Sequence, residues 1–279
     1  MKKWRMAVWV FVAVLAVGIG RQALGQFTAA EIAERPKWED FLKTAEIVKW
    51  EDIGEGVTKP VKLYLKKGDL EAKAVWKNPS GIQQGFLEGW QYEIAAYRLD
   101  KLIGLGMVPP TVEREFRGKK GSLQLWVPAK YSLLKIMEEG IPIPEEARES
   151  TDKMKYVVRV FDCLIGNDDR TQQNLLYTQD WRTIVIDHSR SFRSTPEYVQ
   201  RLVYGRNGIK SAEGRPLLFR RVPRKLVDSL RALDGNKIRL AVGPYLTDQE
   251  IDAVMARQKL LLEEISLMVK EQGEDKVLY

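Results

Sequence analysis

One cysteine and one histidine in 279 residues set the first limits on this chain. The lone Cys163 excludes a disulfide framework, a cysteine-based zinc site and an iron–sulfur cluster built within the chain. The lone His188 excludes an HExxH metalloprotease and any two-histidine metal site. Ser-His-Asp hydrolysis would have to run through His188 alone, and no Gly-x-Ser-x-Gly elbow accompanies it. Internal repeats and low-complexity linkers are also lacking. The net charge of +7 is too small to imply a nucleic-acid partner. What remains is a globular composition, 44% hydrophobic and 30% charged, with enough length for one large domain or two lobes.

The longest uncharged run stands at the N-terminus. Lys2, Lys3 and Arg5 precede fifteen uncharged residues, Met6 to Gly20, and Ala23 and Gly25 hold the −3 and −1 places of a small-residue cleavage site. Residues 1–25 therefore read as a secretory signal peptide. The alternative is an uncleaved membrane anchor over residues 6–20, although that run is shorter than the roughly 20 residues a span needs. Cleavage removes four basic residues and no acid, which lowers the net charge from +7 to +3. The product would be exported, periplasmic or extracellular, and would touch a membrane only if the segment were kept.

Residues 26–44 read as short amphipathic helical pieces around Pro36. Residues 45–77 change to a period of two, and the turn Lys67-Gly68-Asp69 suggests a three-strand antiparallel meander ending at Lys77. From Leu87 to Leu105 the period becomes helical, with Leu87, Ile94, Ala95, Leu99 and Leu102 sharing a stripe. Thr111–Phe116 and Leu123–Val127 are further strands around a Gly118–Gly121 turn. The second half is mostly helical. One helix leads into Gly166-Asn167-Asp168-Asp169-Arg170, a short strand pair follows, Pro223–Leu233 is a helix, and a capping box at Thr247 opens the last one. A β-rich lobe with one helix, residues 26–127, thus precedes a helical lobe, residues 128–279.

Three polar residues carry the chemistry. Asp169 lies in a loop after a helix, Asn174 follows by five residues, and Asp187 by eighteen at a strand end. This order recurs in phosphoryl transfer of the protein-kinase type. There a carboxylate takes or orients the acceptor hydroxyl, while an amide oxygen and a second carboxylate are hard ligands for magnesium on the phosphates. Each residue alone would read as a turn or surface group, and the ordered set favours the functional reading. Lys77, at the end of its strand, suits a nucleotide phosphate, and Glu93 in the following helix suits its ion-pair partner, with Glu88 as runner-up. Gly54 and Gly56 between two strands could bring backbone N–H groups to phosphate, although a plain hairpin turn reads the same. Cys163 reads as a buried small hydrophobe and His188 as a packed loop histidine. Eight basic residues from Arg201 to Lys225, with Glu213 the one acid among them, could receive an acidic substrate or an anionic headgroup, or form a solvated surface.

Glu93-Ile94-Ala95-Ala96-Tyr97-Arg98-Leu99-Asp100-Lys101-Leu102 through Pro110, then Phe161 through Arg170, then Ile186-Asp187-His188-Ser189-Arg190-Ser191-Phe192, resemble the secretory-pathway kinases, the family of the Golgi casein kinase and Golgi xylosylkinase. The Asn-x-Asp-Arg core is shared more distantly with phosphatidylinositol kinases and HipA-type kinases. The resemblance covers roughly residues 50–195. It implies an α+β, bilobal kinase-like fold that uses ATP and magnesium or manganese. Lys77 would be the phosphate lysine, Glu93 its partner, Asp169 the catalytic acid and Asp187 a metal ligand, with Asn174 following the lipid- and protein-kinase pattern. The acceptor would bear a hydroxyl, on protein Ser/Thr, a sugar or a lipid. A nucleotide-binding pseudokinase scaffold and an AMP-transferring enzyme are the alternatives on the same fold. Thr171 stands where many relatives have histidine, and Ser189 stands where protein kinases have the glycine of Asp-x-Gly. N-terminal sequencing of the protein from its native host should begin at Gln26, and an intact Met1 in a membrane fraction would favour the anchor.

Overall fold

A computed structural model describes residues 27–54, 59–210 and 220–279. The leader expected over residues 1–25 lies outside the described residues. Two short helices, α1 (Ala29–Ala33) and α2 (Arg35–Thr44), come first. Pro36 does not separate them but sits in the first turn of α2, where its missing N–H costs nothing. Strands β1 (Glu46–Asp52), β2 (Val61–Lys67) and β3 (Leu70–Lys77) form the expected meander. A hairpin, β4 (Ser80–Gln83) and β5 (Phe86–Gly89), helix α3 (Trp90–Ile103), and strands β6 (Thr111–Phe116) and β7 (Lys119–Leu125) complete the first lobe. The sheet is antiparallel in the order β1-β2-β3-β7-β6.

Alternation dictates which face each strand buries. Val61, Leu63 and Leu65 of β2 and Ala74 and Trp76 of β3 turn inward against Phe41 and Leu42 of α2. Each large side chain buried there contributes about 1.5–3 kcal/mol. Trp76 meets Phe116 edge-on at 5.4 Å and donates its indole N–H to the Arg114 carbonyl at 3.0 Å. Gly121 is not a turn residue: it lies in β7, where a Cβ would come within 2.5 Å of the Lys77 carbonyl and 2.7 Å of the Trp76 ring. With Trp76 committed to the core, period two sends Lys77 to the other face, towards α3.

Helix α3 starts at Trp90, not Leu87, because Gly89 breaks the pattern as N-cap. Leu87 belongs to the hairpin and is exposed, as is Leu102, so neither joins the buried stripe. Tyr92, Ala95, Ala96, Tyr97, Leu99 and Ile103 pack into the larger core of the second lobe. On the other side, Arg35 at the start of α2 reaches Asp100 of α3 at 3.1 Å, with both side chains buried. Asp100 also accepts the Met107 N–H at 2.8 Å and so fixes the chain after the helix.

The chain crosses to the second lobe after Leu125, and by Lys130 its N–H already bonds to Tyr177. The second lobe comprises β8 (Tyr131–Ser132), α4 (Leu133–Glu138), α5 (Glu145–Ile165), β9 (Leu175–Tyr177), β10 (Thr183–Val185), α6 (Pro196–Gln200), α7 (Arg224–Ala232), α8 (Gly235–Val242), α9 (Asp248–Gln272) and α10 (Glu274–Val277). Thr247 and Glu250 form the expected capping box of α9. Arg257 of α9 is fully buried and has no carboxylate partner among the described residues. It donates to the carbonyls of Leu164 at 2.9 Å and Arg193 at 2.6 Å, and burial pulls its pKa down to about 10. The α9 helix is thereby pinned to the end of α5. No helix among the described residues is long and apolar enough to cross a membrane.

Three members of the basic run from Arg201 are paired with acids. Arg201 pairs with Glu197, Arg206 with Glu264 and Glu271, and Arg224 with Glu274 and Asp275. Arg215 and Glu213 lie outside the described residues.

Asp100→Ala leaves Arg35 buried without its counter-charge and the Met107 N–H without its acceptor. Urea unfolding should show a loss of about 3–5 kcal/mol, the cost of removing one partner of a buried ion pair.

Candidate active site

Lys77 and Glu93 meet where β3 and α3 face each other. Lys77 Nζ is 2.9 Å from Glu93 Oε1 and 2.9 Å from Asp187 Oδ1, and its side chain is 13% exposed. Burial works against the ammonium, but the carboxylates of Asp187 and Glu93 outweigh it and raise the Lys77 pKa. Burial likewise works against the Glu93 carboxylate, and the Lys77 charge together with bonding from His188 holds its pKa far below the usual range. The second Glu93 oxygen accepts the His188 backbone N–H at 3.1 Å. One buried carboxylate thus ties β3 to α3 and α3 to the segment carrying Asp187. Asp187 itself has φ of +62°, a left-handed conformation that Asp tolerates better than most residues.

A second network holds the loop after α5. Arg170 forks onto Asp162, with Nε to Oδ2 at 3.1 Å and Nη2 to Oδ1 at 2.8 Å. Asn167 also donates to Asp162, at 2.9 Å. Arg170 Nη1 donates to the carbonyls of Ile186 at 2.6 Å and Asn174 at 3.2 Å. Arg170 Nη2 lies 3.0 Å from His188 Nε2. A guanidinium only donates, so Nε2 accepts and the ring proton sits on Nδ1, which faces Glu93 Oε2 at 3.6 Å. His188 is fully buried and occupied in this way, which removes it as a hydrolase base.

Asp169 heads the loop with its carboxylate 38% exposed. Its N–H is fixed by Asn167 Oδ1 at 3.1 Å, and Arg190 Nη1 stands 3.4 Å from Oδ2. Burial raises its pKa, with Arg190 opposing and Asp187 and Asp168 adding to the rise. Neighbouring Asp168 is engaged with the Tyr198 hydroxyl and with Arg193 at 3.6 Å. Asn174 ends a short 3-10 turn, and its side-chain amide makes no hydrogen bond among the described residues. The Ile186 N–H bonds to the Asn174 carbonyl at 3.2 Å, which sets Asn174 beside the Asp187 segment.

The structure therefore brings Lys77, Glu93 and Asp187 into contact and puts the Asp169 and Asn174 loop alongside them. Glu88 is not a partner of Lys77: it is buried against Arg190 Nε at 2.8 Å and the Ser189 hydroxyl at 3.1 Å. Gly54 ends the β1 segment at φ of +75°, and Gly56 lies outside the described residues. Cys163 is buried against the Tyr204 backbone, with its thiol pushed up by burial to about 12, and is not a nucleophile. Sequence reasoning missed the Asp162–Arg170–His188 chain and the Glu88–Arg190 pair. The Asp-x7-Arg spacing of the first was visible, but nothing marked it as a buried fork. No group of three or more His, Cys, Asp or Glu among the described residues could cage a metal alone. Asn174 and Asp187 instead offer the sparse oxygen set that suits an ion carried in on phosphates and water.

No family model and no curated protein matches this chain. Solved structures do. The crystal structure of the Golgi casein kinase aligns with TM-score 0.62 at 15% identity, over 92% of this chain and 80% of that one. The Helicobacter pylori proinflammatory kinase CtkA aligns with TM-score 0.53 at 12% identity, over 84% of this chain and 97% of that one. The chain has the bilobal, α+β kinase-like fold.

Lys77→Met removes the charge while keeping much of the side chain. It should cost stability, because Glu93 stays buried without its cation. A carboxylate whose pKa is depressed on folding stabilises above its unfolded value and loses that contribution as the medium acidifies. In urea melts the gap between wild type and variant should therefore be widest near neutral pH and narrow below about pH 4.

Proposed function

We propose that this protein is an exported, ATP-using phosphotransferase that moves the γ-phosphoryl group to a hydroxyl acceptor. The observation carrying this reading is the unbroken chain Glu93–Lys77–Asp187, both contacts at 2.9 Å, beside a loop that presents Asp169. The kinase-like fold supports it, as do the two solved structures named above, both of them kinases.

Lys77, freed from Asp187 when nucleotide enters, meets the phosphates, and Glu93 keeps its ammonium in place. Asn174 and Asp187 would hold magnesium or manganese, which neutralises phosphate charge when bound. Asp169 accepts the acceptor's hydroxyl proton. The acceptor oxygen then bonds to the γ-phosphorus, and the bond from that phosphorus to the bridging oxygen breaks, with its electron pair leaving on ADP. The raised pKa of Asp169 suits proton acceptance better than an ordinary carboxylate would. Export rests on the N-terminal pattern of residues 1–25.

Incubating the protein with γ-labelled and, separately, α-labelled ATP plus magnesium or manganese tests the reaction class. Label should pass from the γ position only. Transfer from α would mean AMP transfer, and transfer from neither would mean a pseudokinase. The two carboxylates should also fail differently. Asp169→Asn should keep metal-dependent ATP binding and lose about 10²–10⁴-fold in transfer, the usual worth of a general base. Asp187→Asn should lose the metal-dependent binding itself, read as a missing thermal shift. If Asp187→Asn binds and turns over normally while Asp169→Asn cannot bind, the roles are misassigned.

A further inference from the structure

The β4–β5 hairpin sits between Lys77 and α3 and is docked onto the segment after Asp187. The Gly89 N–H bonds to the Ser189 carbonyl at 2.9 Å, and the Glu88 carboxylate is buried there. Its partner Arg190 is held at two unequal ends. At one end, Nε donates to the buried Glu88 Oε1 at 2.8 Å, while the guanidinium also lies over the exposed Phe86 ring at 4.6 Å. At the open end, Nη1 stands 3.4 Å from Asp169 Oδ2, longer than an ordinary charge-assisted hydrogen bond. Arg190 is 13% exposed, against 38% for Asp169. The end facing the cleft is thus the weaker one.

We propose that Arg190, anchored by Glu88 of the hairpin, is a catalytic cation that donates to the phosphoryl group in flight. This rests on the phosphotransferase reading of the same site. The geometry allows the proximity. A hydroxyl held by Asp169 lies within hydrogen-bond reach of that carboxylate, and the attacked phosphorus lies about 3–3.5 Å from the hydroxyl. A guanidinium edge already touching Asp169 is therefore next to the reacting atoms. Arrival of the acceptor replaces Arg190 as the neighbour of Asp169, because the hydroxyl proton takes over that oxygen. The freed Nη1 then turns to a non-bridging phosphoryl oxygen, while Glu88 keeps Nε where it was. Planar, multi-donor guanidinium suits such an oxygen better than an ammonium does. The transfer balances as written above: the proton goes to Asp169, the new O–P bond forms, and the old one breaks towards ADP. Arg190 contributes charge and hydrogen bonds but gains and loses no covalent bond.

The test compares wild type, Arg190→Lys, Arg190→Ala and Glu88→Gln, each first checked by thermal melting. Arg190→Lys keeps the charge and most of the volume, so it stays informative if the alanine variant fails to fold. Binding is measured for Mg-ADP alone and for Mg-ADP with aluminium fluoride, which mimics the phosphoryl group in flight. Wild type should bind the aluminium fluoride complex more tightly than ADP. Both Arg190 variants should bind ADP as wild type does, lose that gain, and lose about 10²–10³-fold in kcat for γ-transfer with little change in KM for ATP. Glu88→Gln should lose part of both. If Arg190→Lys keeps the gain and the kcat while Asp169→Asn is dead, Arg190 is only a structural tie and the phosphotransferase reading stands. If wild type transfers no label and gains nothing from aluminium fluoride, both the reading and this proposal fall.

Discussion

A carboxylate with almost no water around it organises this molecule. Glu93 is buried to the point where an uncompensated charge would cost several kcal/mol. It keeps its charge because Lys77 approaches from β3 and a backbone N–H from His188. Three separate pieces of chain must therefore arrive together for any of them to be comfortable. The sheet must bury Trp76 so that Lys77 faces outwards, α3 must turn its Glu93 side to the sheet, and the Asp187 segment must sit close enough to offer His188. The arrangement that satisfies the buried charge also leaves Asp187 in contact with Lys77 and half open to the cleft. The compensation of the buried charge and the Lys77–Asp187 contact have the same cause.

Much of this could be read from residue order. The meander showed itself through strict alternation and the Lys67-Gly68-Asp69 turn, and α9 through its capping box. Lys77, Glu93 and Asp187, singled out by their order, spacing and resemblance, are residues that the structure brings into contact. The β4–β5 hairpin was not legible. Its two strands are four residues each, too short for a period to emerge, so Leu87 was absorbed into the helix that follows. The signal was the loop, Gln84-Gly85, whose two positive φ angles make the tight two-residue turn that favours hairpins. Buried arginines were equally invisible. Arg35, Arg170 and Arg257 look like surface residues in a sequence, and only tertiary packing reveals the carboxylate or carbonyl groups they meet. In the basic stretch after Arg201, the acids that pair with Arg201, Arg206 and Arg224 come from α6, α9 and α10, which local charge counting does not see.

Hydrogen bonds to the backbone do work here that paired charges do elsewhere. Arg257 carries its charge into the core with carbonyl partners alone, and Arg170 spends part of its fork on the carbonyls of Asn174 and Ile186. Carbonyl oxygens belong to the chain itself, so these arginines fix the path of the loop more than the direction of any side chain. That suits a loop whose acidic and amide groups must stay pointed at a shared space.

Helix α3 has one further consequence. Arg35 clamps it from the front, Tyr92 bonds to Glu250 at 2.6 Å, and Arg98 donates to the carbonyls at the end of α8 at 3.3 Å while stacking on Tyr245. An outward swing of this helix would have to break all of these contacts at once. Separating Lys77 from Glu93 and lifting α3 off the second lobe are therefore a single event.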